Sequence, residues 1–305
     1  MSYRIVYLLA ILCILNATVA TAQQDPVYSQ YMFTMLAVNP AYAGSRDVLS
    51  VTGLYRRQWI GINGSPETQL LTADFALKNK KIGLGLQAYN DEIGIVRNTG
   101  IYASYAYRIK FERATLSMGL QAGVVRFKAD YTSVRLADNQ DDIAFAQSQN
   151  EFRPNFGAGV FLNTDKFYVG ISAPRLFGQD RISVSSQKEM FAVANHWFVT
   201  AGYVFTLSPD LKLKPSAMLR VVDGAPPQVD VNANVWLHDI VSLGVSYRTR
   251  NTMVGMFELQ ITEQLRFGYA YDLSLSSLKS QGSHEFMLRY EFGYNRKNVL
   301  SPRHF

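Results

Sequence analysis

An all-β, membrane-spanning barrel of about 14 antiparallel strands is the fold this sequence predicts. Three observations carry it: a period-two alternation that recurs along the chain, connections that are short and long in turn, and a secretory leader followed by no apolar helix. Residues 266–275, RFGYAYDLSL, display the alternation. Phe267, Tyr269, Tyr271, Leu273 and Leu275 share one parity, while Arg266, Gly268, Ala270, Asp272 and Ser274 share the other. A strand turns these two sets to opposite faces. Taken alone, the stretch fits a soluble sandwich with its bulky face inward, or a barrel with that face turned to lipid.

Residues 1–22 read as a secretory signal peptide. Arg4 supplies the charged start, residues 5–15 the apolar core, and Ala20-Thr21-Ala22 an Ala-x-Ala site, with cleavage expected after Ala22. The competing lipoprotein site at Cys13 is preceded by Leu12, too large for such a site, inside an apolar core that continues past it. The mature chain then has no cysteine, so neither disulfides nor thiolate metal sites hold it together. It has no apolar run of about 18 residues either, so it can cross a membrane only as a closed barrel.

At 305 residues and 48% apolar, the chain suffices for one large domain or two ordinary ones. An aromatic content of 13%, with 18 Tyr and 18 Phe, suits many strands. Its net charge of +6 is spread among 30 basic and 24 acidic residues rather than gathered in runs, which argues against nucleic-acid binding.

Alternation and turn signals cut the chain into strands near 47–59, 67–78, 81–90, 98–110, 113–127, 152–163, 166–174, 190–207, 211–222, 228–237, 240–250, 252–262, 264–275 and 283–294. Connections after even-numbered strands are short: 79–80, 164–165, 208–210, 238–239 and 263. Most of those after odd-numbered strands are longer: 60–66, 91–97, 128–151, 175–189, 223–227 and 276–282. Outer-membrane barrels sort their loops in this way, with the short turns periplasmic. An even strand count then places both termini on the periplasmic side. A soluble sandwich has no reason to sort its loops.

Energetics choose the face. A charge on the lipid side at the midplane costs roughly 2 to 4 kcal/mol, and a lumen position tolerates it. Asp272, Arg289 and Glu291 share parity with the small and polar set, so that set is expected inside. Leu273→Arg should therefore impair folding far more than Asp272→Arg. Trp59 and Trp236, near strand ends, are candidates for the interfacial girdle. The final strand ends on an alternating aromatic pattern, Leu288, Tyr290, Phe292 and Tyr294, suited to barrel-assembly machinery. A basic tail, 295–305, follows with Arg296, Lys297, Arg303 and His304.

Little points to catalysis, and no cofactor is implied. His196, His238, His284 and His304 lie far apart, none at metal-ligand spacing, and Ser283-His284 is the nearest approach to a hydrolytic pair. Gly83-x-Gly85 leads into strand residues rather than a helix, so it is no phosphate loop. Asp138, Asp141 and Asp142 in the long loop lack the ordered spacing and glycine of a dedicated calcium site.

Residues 23–46 differ from everything after them. Asp25 can cap a short helix with Pro26 at its first position, and Tyr28, Tyr31, Met32, Met35 and Leu36 fall at helical spacing until Asn39-Pro40 ends it. The residues alone show a helix and a turn, packed against whatever is nearest. Asp25-Pro26-Val27-Tyr28-Ser29-Gln30-Tyr31-Met32-Phe33, followed by Leu36-Ala37-Val38-Asn39-Pro40-Ala41-Tyr42-Ala43-Gly44-Ser45, closely resembles the start of PorP/SprF family proteins of the bacterial type IX secretion system. Over the remainder the likeness is diffuse, in length and strand pattern.

That resemblance implies an outer-membrane barrel shaped like the long-chain fatty-acid transporters. It also implies a short helical hatch in which Asn39, Pro40 and Ala41 tuck into the lumen. The implied organisation is 1–22 signal peptide, 23–46 hatch, 47–294 barrel and 295–305 periplasmic tail. The implied role is non-enzymatic: a component of the Gram-negative outer membrane that helps secrete or anchor large adhesins, for gliding motility in some members. Its partners would be that adhesin cargo, periplasmic ring and motor lipoproteins, and outer-membrane lipid. A transporter for hydrophobic small molecules such as fatty acids is the alternative. A continuous apolar path past Asn39-Pro40-Ala41 would favour it, and a lumen crowded with charge would count against it.

Overall fold

The computed structural model describes residues 28–131, 148–176, 183–184, 188–189, 195–223, 225–249, 251–275 and 280–293. Residues 1–22, expected to be a signal peptide, Asp25, Pro26, the loop acids Asp138, Asp141 and Asp142, and residues 295–305 lie outside these residues.

Fourteen antiparallel strands close into one barrel. They are β1 (Leu49–Arg57), β2 (Glu67–Ala76), β3 (Ile82–Ile93), β4 (Val96–Lys110), β5 (Thr115–Ala129), β6 (Gln149–Asn163) and β7 (Phe167–Arg175). The ring continues with β8 (His196–Tyr203, resumed as Phe205–Ser208 after a break at Val204), β9 (Leu211–Val222), β10 (Ala225–Leu237), β11 (Val241–Arg248), β12 (Thr252–Gln260), β13 (Leu265–Ser274) and β14 (Ser283–Phe292). Each strand pairs with its sequence neighbours, and β1 with β14 closes the ring, so every strand has a partner on both sides. A two-residue hairpin, Ser183–Val184 with Lys188–Glu189, sits in the β7–β8 connection.

Period-two patterning decides what faces where. Along β13 the even-numbered Arg266, Gly268, Ala270 and Asp272 are buried, and Leu273 is 46% exposed on the outside. Along β4 the outward residues Ile101, Ala103, Tyr105, Tyr107 and Ile109 make a continuous apolar band beneath Arg97 and Thr99. Eight steps of about 3.3 Å at a tilt of about 40° give a band about 20 Å tall, close to the hydrocarbon thickness such barrels match. A positive charge introduced on this face should act by depth. Val245→Arg, at mid-strand, is expected to lower stability by roughly 2 to 4 kcal/mol, and Thr206→Arg, beside a rim turn, by no more than about 1 kcal/mol. Urea titration of the refolded barrel in lipid vesicles measures both, and equal losses would contradict the face assignment.

Three sequence expectations need correction. Trp236 is not a girdle residue. It shares parity with Asp230, Asn232 and Asn234, points into the lumen and is 1% exposed. Trp59, by contrast, is exposed at the end of β1. The β3–β4 and β9–β10 connections, expected to run over 91–97 and 223–227, shrink to Gly94-Ile95 and residues 223–224, because strand pairing continues through Glu92 with Arg97 and Ile93 with Val96. The longest connections, 58–66, 130–148, 176–195 and 275–282, still share one rim, and the opposite rim has only short turns.

The third correction concerns the amino-terminal segment, which contains no regular α-helix among its described residues. It has two 3₁₀ turns, Met35–Ala37 and Pro40–Tyr42. A 3.6-residue amphipathic pattern presumes one wet face, but nearly every residue from Tyr28 to Gly44 is buried. Tight bonds such as Phe33 N–H to Gln30 O at 2.9 Å and Val38 N–H to Met35 O at 3.1 Å replace the helical ladder.

Candidate functional site: the filled lumen

Residues 28–46 run inside the barrel from its long-loop end to its short-turn rim, and lumen-facing side chains hold them at three levels. At the long-loop end, the Glu285 carboxylate accepts from two successive backbone amides, Ser29 N–H at 2.9 Å and Gln30 N–H at 2.8 Å. Ser29 Oγ donates to Asp272 at 2.7 Å and accepts from Arg56 Nη1 at 2.9 Å. Arg56 pairs with Asp272 at 2.7 Å and Glu285 at 3.0 Å, and Arg248 pairs with Asp230 at 2.9 Å and Asp272 at 3.3 Å. Gln228 extends this chain, donating to Asp230 at 3.0 Å and accepting from Arg220 at 2.7 Å. Six strands, β9, β10, β11, β13, β14 and β1, are thereby linked through one buried network centred on Ser29.

Around the middle, Asn39 does two jobs. Its Oδ1 accepts from Ala41 N–H at 2.9 Å, capping the 3₁₀ turn that Pro40 opens, and its Nδ2 donates to Val160 O on β6 at 3.1 Å. Ser172 Oγ donates to Val38 O at 2.8 Å, Asn232 Nδ2 donates to the Tyr31 hydroxyl at 2.7 Å, and Tyr42 meets the Phe161 ring edge-on at 5.5 Å. Ala41 and Ala43 are completely buried. Lumen-facing glycines make this closeness possible. A Cβ on Gly119 would lie 2.2 Å from Ala41 N, and one on Gly83 would lie 1.9 Å from Ala43 O. Gly83-x-Gly85 therefore serves as a seat for the segment.

At the short-turn rim, Gly44, with φ at +69°, donates its N–H to Asp74 at 2.9 Å. Arg46 pairs with Glu291, and Arg289 donates to Phe33 O. Asp47 meets Arg108 at 2.7 Å and Lys80 at 3.2 Å. Burial pushes the Asp47 carboxyl up, but Arg108 and Lys80 outweigh it and hold it below the usual carboxylate range. The contact therefore contributes stability above the unfolded carboxylate pKa and loses it only as pH falls through the depressed value.

Of the residues singled out in the sequence, Tyr28, Ser29, Gln30, Tyr31, Asn39, Pro40, Ala41, Tyr42, Ala43 and Gly44 all lie in this lumen. Asp25, Pro26, Ala20 and Ala22 fall outside the described residues. Asp272, Arg289 and Glu291 face inward as parity requires. Asp272 is not the tolerant control site expected of it, because an arginine there would face Arg56 and Arg248 with no carboxylate between them. Arg266 shares the set expected inside with Asp272, and Glu285 the one with Arg289 and Glu291, whereas Arg56, Asp230, Arg248 and Glu258 were not foreseen, although inward parity marks each of them. Ser283 and His284 make no hydrolytic pair. Adjacent strand residues face opposite ways, so Ser283 Oγ accepts from Trp59 N–H inside while His284 meets the Tyr269 hydroxyl outside at 2.8 Å.

Residues 20–290 match the profile described as "Type IX secretion system membrane protein PorP/SprF". The chain belongs to the PorP/SprF family. It is therefore a type IX secretion-associated barrel of the outer membrane. Among solved structures, the Ralstonia pickettii toluene transporter TbuX is similar at 10% identity with a TM-score of 0.51, over 85% of this PorP/SprF chain and 94% of that one. The Acinetobacter baumannii outer membrane protein Omp33 matches at 9% identity and a TM-score of 0.47, over 80% and 98% of the two chains. The KdgM porin matches at 11% and 0.40, over 80% and 99%. At such identities the likeness shows barrel architecture alone. No curated protein matches the chain.

Proposed function

We propose that this PorP/SprF barrel is a non-enzymatic component of type IX secretion that helps export large adhesins or anchor them at the surface. It does so through contacts with the cargo and with periplasmic ring and motor lipoproteins, while its own lumen conducts nothing. The observation supporting this reading is that residues 28–46 fill the lumen and are bound there at both ends and in the middle. Residues 23–46 then act as a hatch that stays shut, and the useful surfaces are the rims and the outer wall, which meets outer-membrane lipid. The short-turn rim, where β14 ends, is assigned to the periplasm. Tyr28, the first described residue, lies toward the long-loop end.

Transport of hydrophobic molecules fits this interior poorly. The lumen buries Arg56, Asp272, Glu285, Arg266, Glu258 and Arg289, and one cavity among the described residues, between the segment and β3–β9 and lined by Tyr28, Tyr31, Tyr102 and Arg220 among others, is about 30 Å³. That is room for a water molecule rather than an acyl chain. The test is affinity purification from gently solubilised outer membranes, with proteins identified by mass spectrometry and lipids extracted from the same sample. Ring lipoproteins or a large adhesin without stoichiometric fatty acid are expected, and deletion of the gene should remove that adhesin from the surface. The barrel alone with a bound acyl ligand would overturn the reading.

A further inference from the structure

Among its described residues, the short-turn rim is electrically lopsided. The β2–β3 turn carries Lys78, Lys80 and Lys81, and the end of β4 with the β4–β5 turn carries Lys110 and Arg113, all exposed. The two turns form one surface, since Arg108 N–H donates to Lys81 O at 2.7 Å. Against these charges stand only Glu112 and Asp47 among the described residues of this arc, and Asp47 is already engaged by Arg108 and Lys80. Phe111, 58% exposed, sits at the tip of the β4–β5 turn between Lys110 and Arg113. The remaining short turns reverse the sign. Asp165, Asp210, Asp239 and Glu263 lie there, with Lys166 beside Asp165 and with Lys212 bound to Asp239 at 2.7 Å.

A lipid leaflet surrounds a barrel evenly, so an attraction to headgroups would not confine basic residues to one quarter of the rim. A one-sided partner would. Resting on the secretion reading above, we infer that the β2–β5 arc of the short-turn rim is the docking surface for an acidic face of a partner protein. The lysines and Arg113 steer that face, and Phe111 supplies the apolar contact at the centre.

The test places a benzophenone amino acid at Ala114 in the full-length protein in cells, with a second site at Thr262 on the acidic side. Illumination should yield a protein adduct from Ala114 and none from Thr262, and the captured peptide should be rich in Asp and Glu. Lys78→Glu/Lys81→Glu/Arg113→Glu should cut the adduct about tenfold or more, and reversing acids on the captured peptide to Lys should restore it. If the reversal variant fails to reach the outer membrane, Lys78→Gln/Lys81→Gln/Arg113→Gln serves, with a smaller loss. An adduct indifferent to these charges, one with phospholipid only, or one with a second copy of this chain would overturn the inference. A charge-dependent protein adduct combined with normal adhesin export in the reversal variant would leave the docking surface standing and remove the secretion reading instead.

Discussion

Arg56→Met should lower the stability of the barrel by roughly 3 to 5 kcal/mol, the usual cost of stripping one partner from a buried ion pair. Arg56 lies between Asp272 and Glu285, at 2.7 and 3.0 Å, and also donates to Ser29. Without it, Asp272 is left with Arg248, which Asp230 also uses, and the buried Glu285 carboxylate keeps the Ser29 and Gln30 amides but loses its cation. The Ser29 anchor would loosen together with the wall. The loss should show as a lower urea midpoint for the refolded protein and as faster protease cleavage near Ser29. Arg56→Met/Asp272→Asn/Glu285→Gln removes the stranded charges as well and should recover most of the midpoint, since a neutralised cluster carries no desolvation debt. An unchanged midpoint in the single variant would mean that water or ions reach these carboxylates and that the network is not closed.

The wall of this barrel was legible in the sequence because its two faces have opposite solvents. Leu288, Tyr290 and Phe292 on one parity, and Arg289 and Glu291 on the other, leave a strand only one way to turn. Loop sorting added which rim carries the long connections. Trp236 was misread because nearness to a strand end is a weaker signal than parity: Asp230, Asn232 and Asn234 already committed its face to the lumen, where its ring lies under Arg266 at 5.0 Å. The helix expected across Tyr28 to Leu36 failed for a related reason. Its apolar spacing was real, but burial on every side removes the solvent contrast that makes spacing informative. Pairings such as Ser29 with Glu285, 256 residues apart, depend on the closed ring and leave no local trace. What could have been read is that so many inward-facing charges, Arg56, Arg248, Arg266 and Glu285 among them, cannot sit in a lumen without neutralising one another.

Gly83→Val is expected to have the second large effect, and it separates the wall from its contents. Gly83 on β3 is paired along both sides of its strand, with Ala76 on β2 and Ala106 on β4. A valine suits such a strand well. Its Cβ, however, would lie 1.9 Å from Ala43 O and 2.6 Å from Ala43 C, both backbone atoms that no side-chain rotation can clear. Something must move, and the two candidates differ in what they lose. Displacing β3 breaks ladder hydrogen bonds on two sides, to β2 and to β4. Displacing the segment at Ala43 and Gly44 gives up the Gly44 bond to Asp74 and strains the Arg46 pair with Glu291. The segment should yield. The variant should therefore still fold and insert, yet conduct ions in planar bilayers and admit a small hydrophilic dye into cells, whereas the parent should do neither. Gly53→Val is the matched control, because Gly53 faces outward with nothing within 4 Å of an added Cβ. A Gly83→Val barrel that conducts but still exports adhesin would locate the activity in the rims and outer wall, and loss of export on opening would mean that a closed lumen is itself required. Silence in both assays would show that the wall gave way first, and that residues 28–46 hold the barrel's shape more firmly than its ladder does.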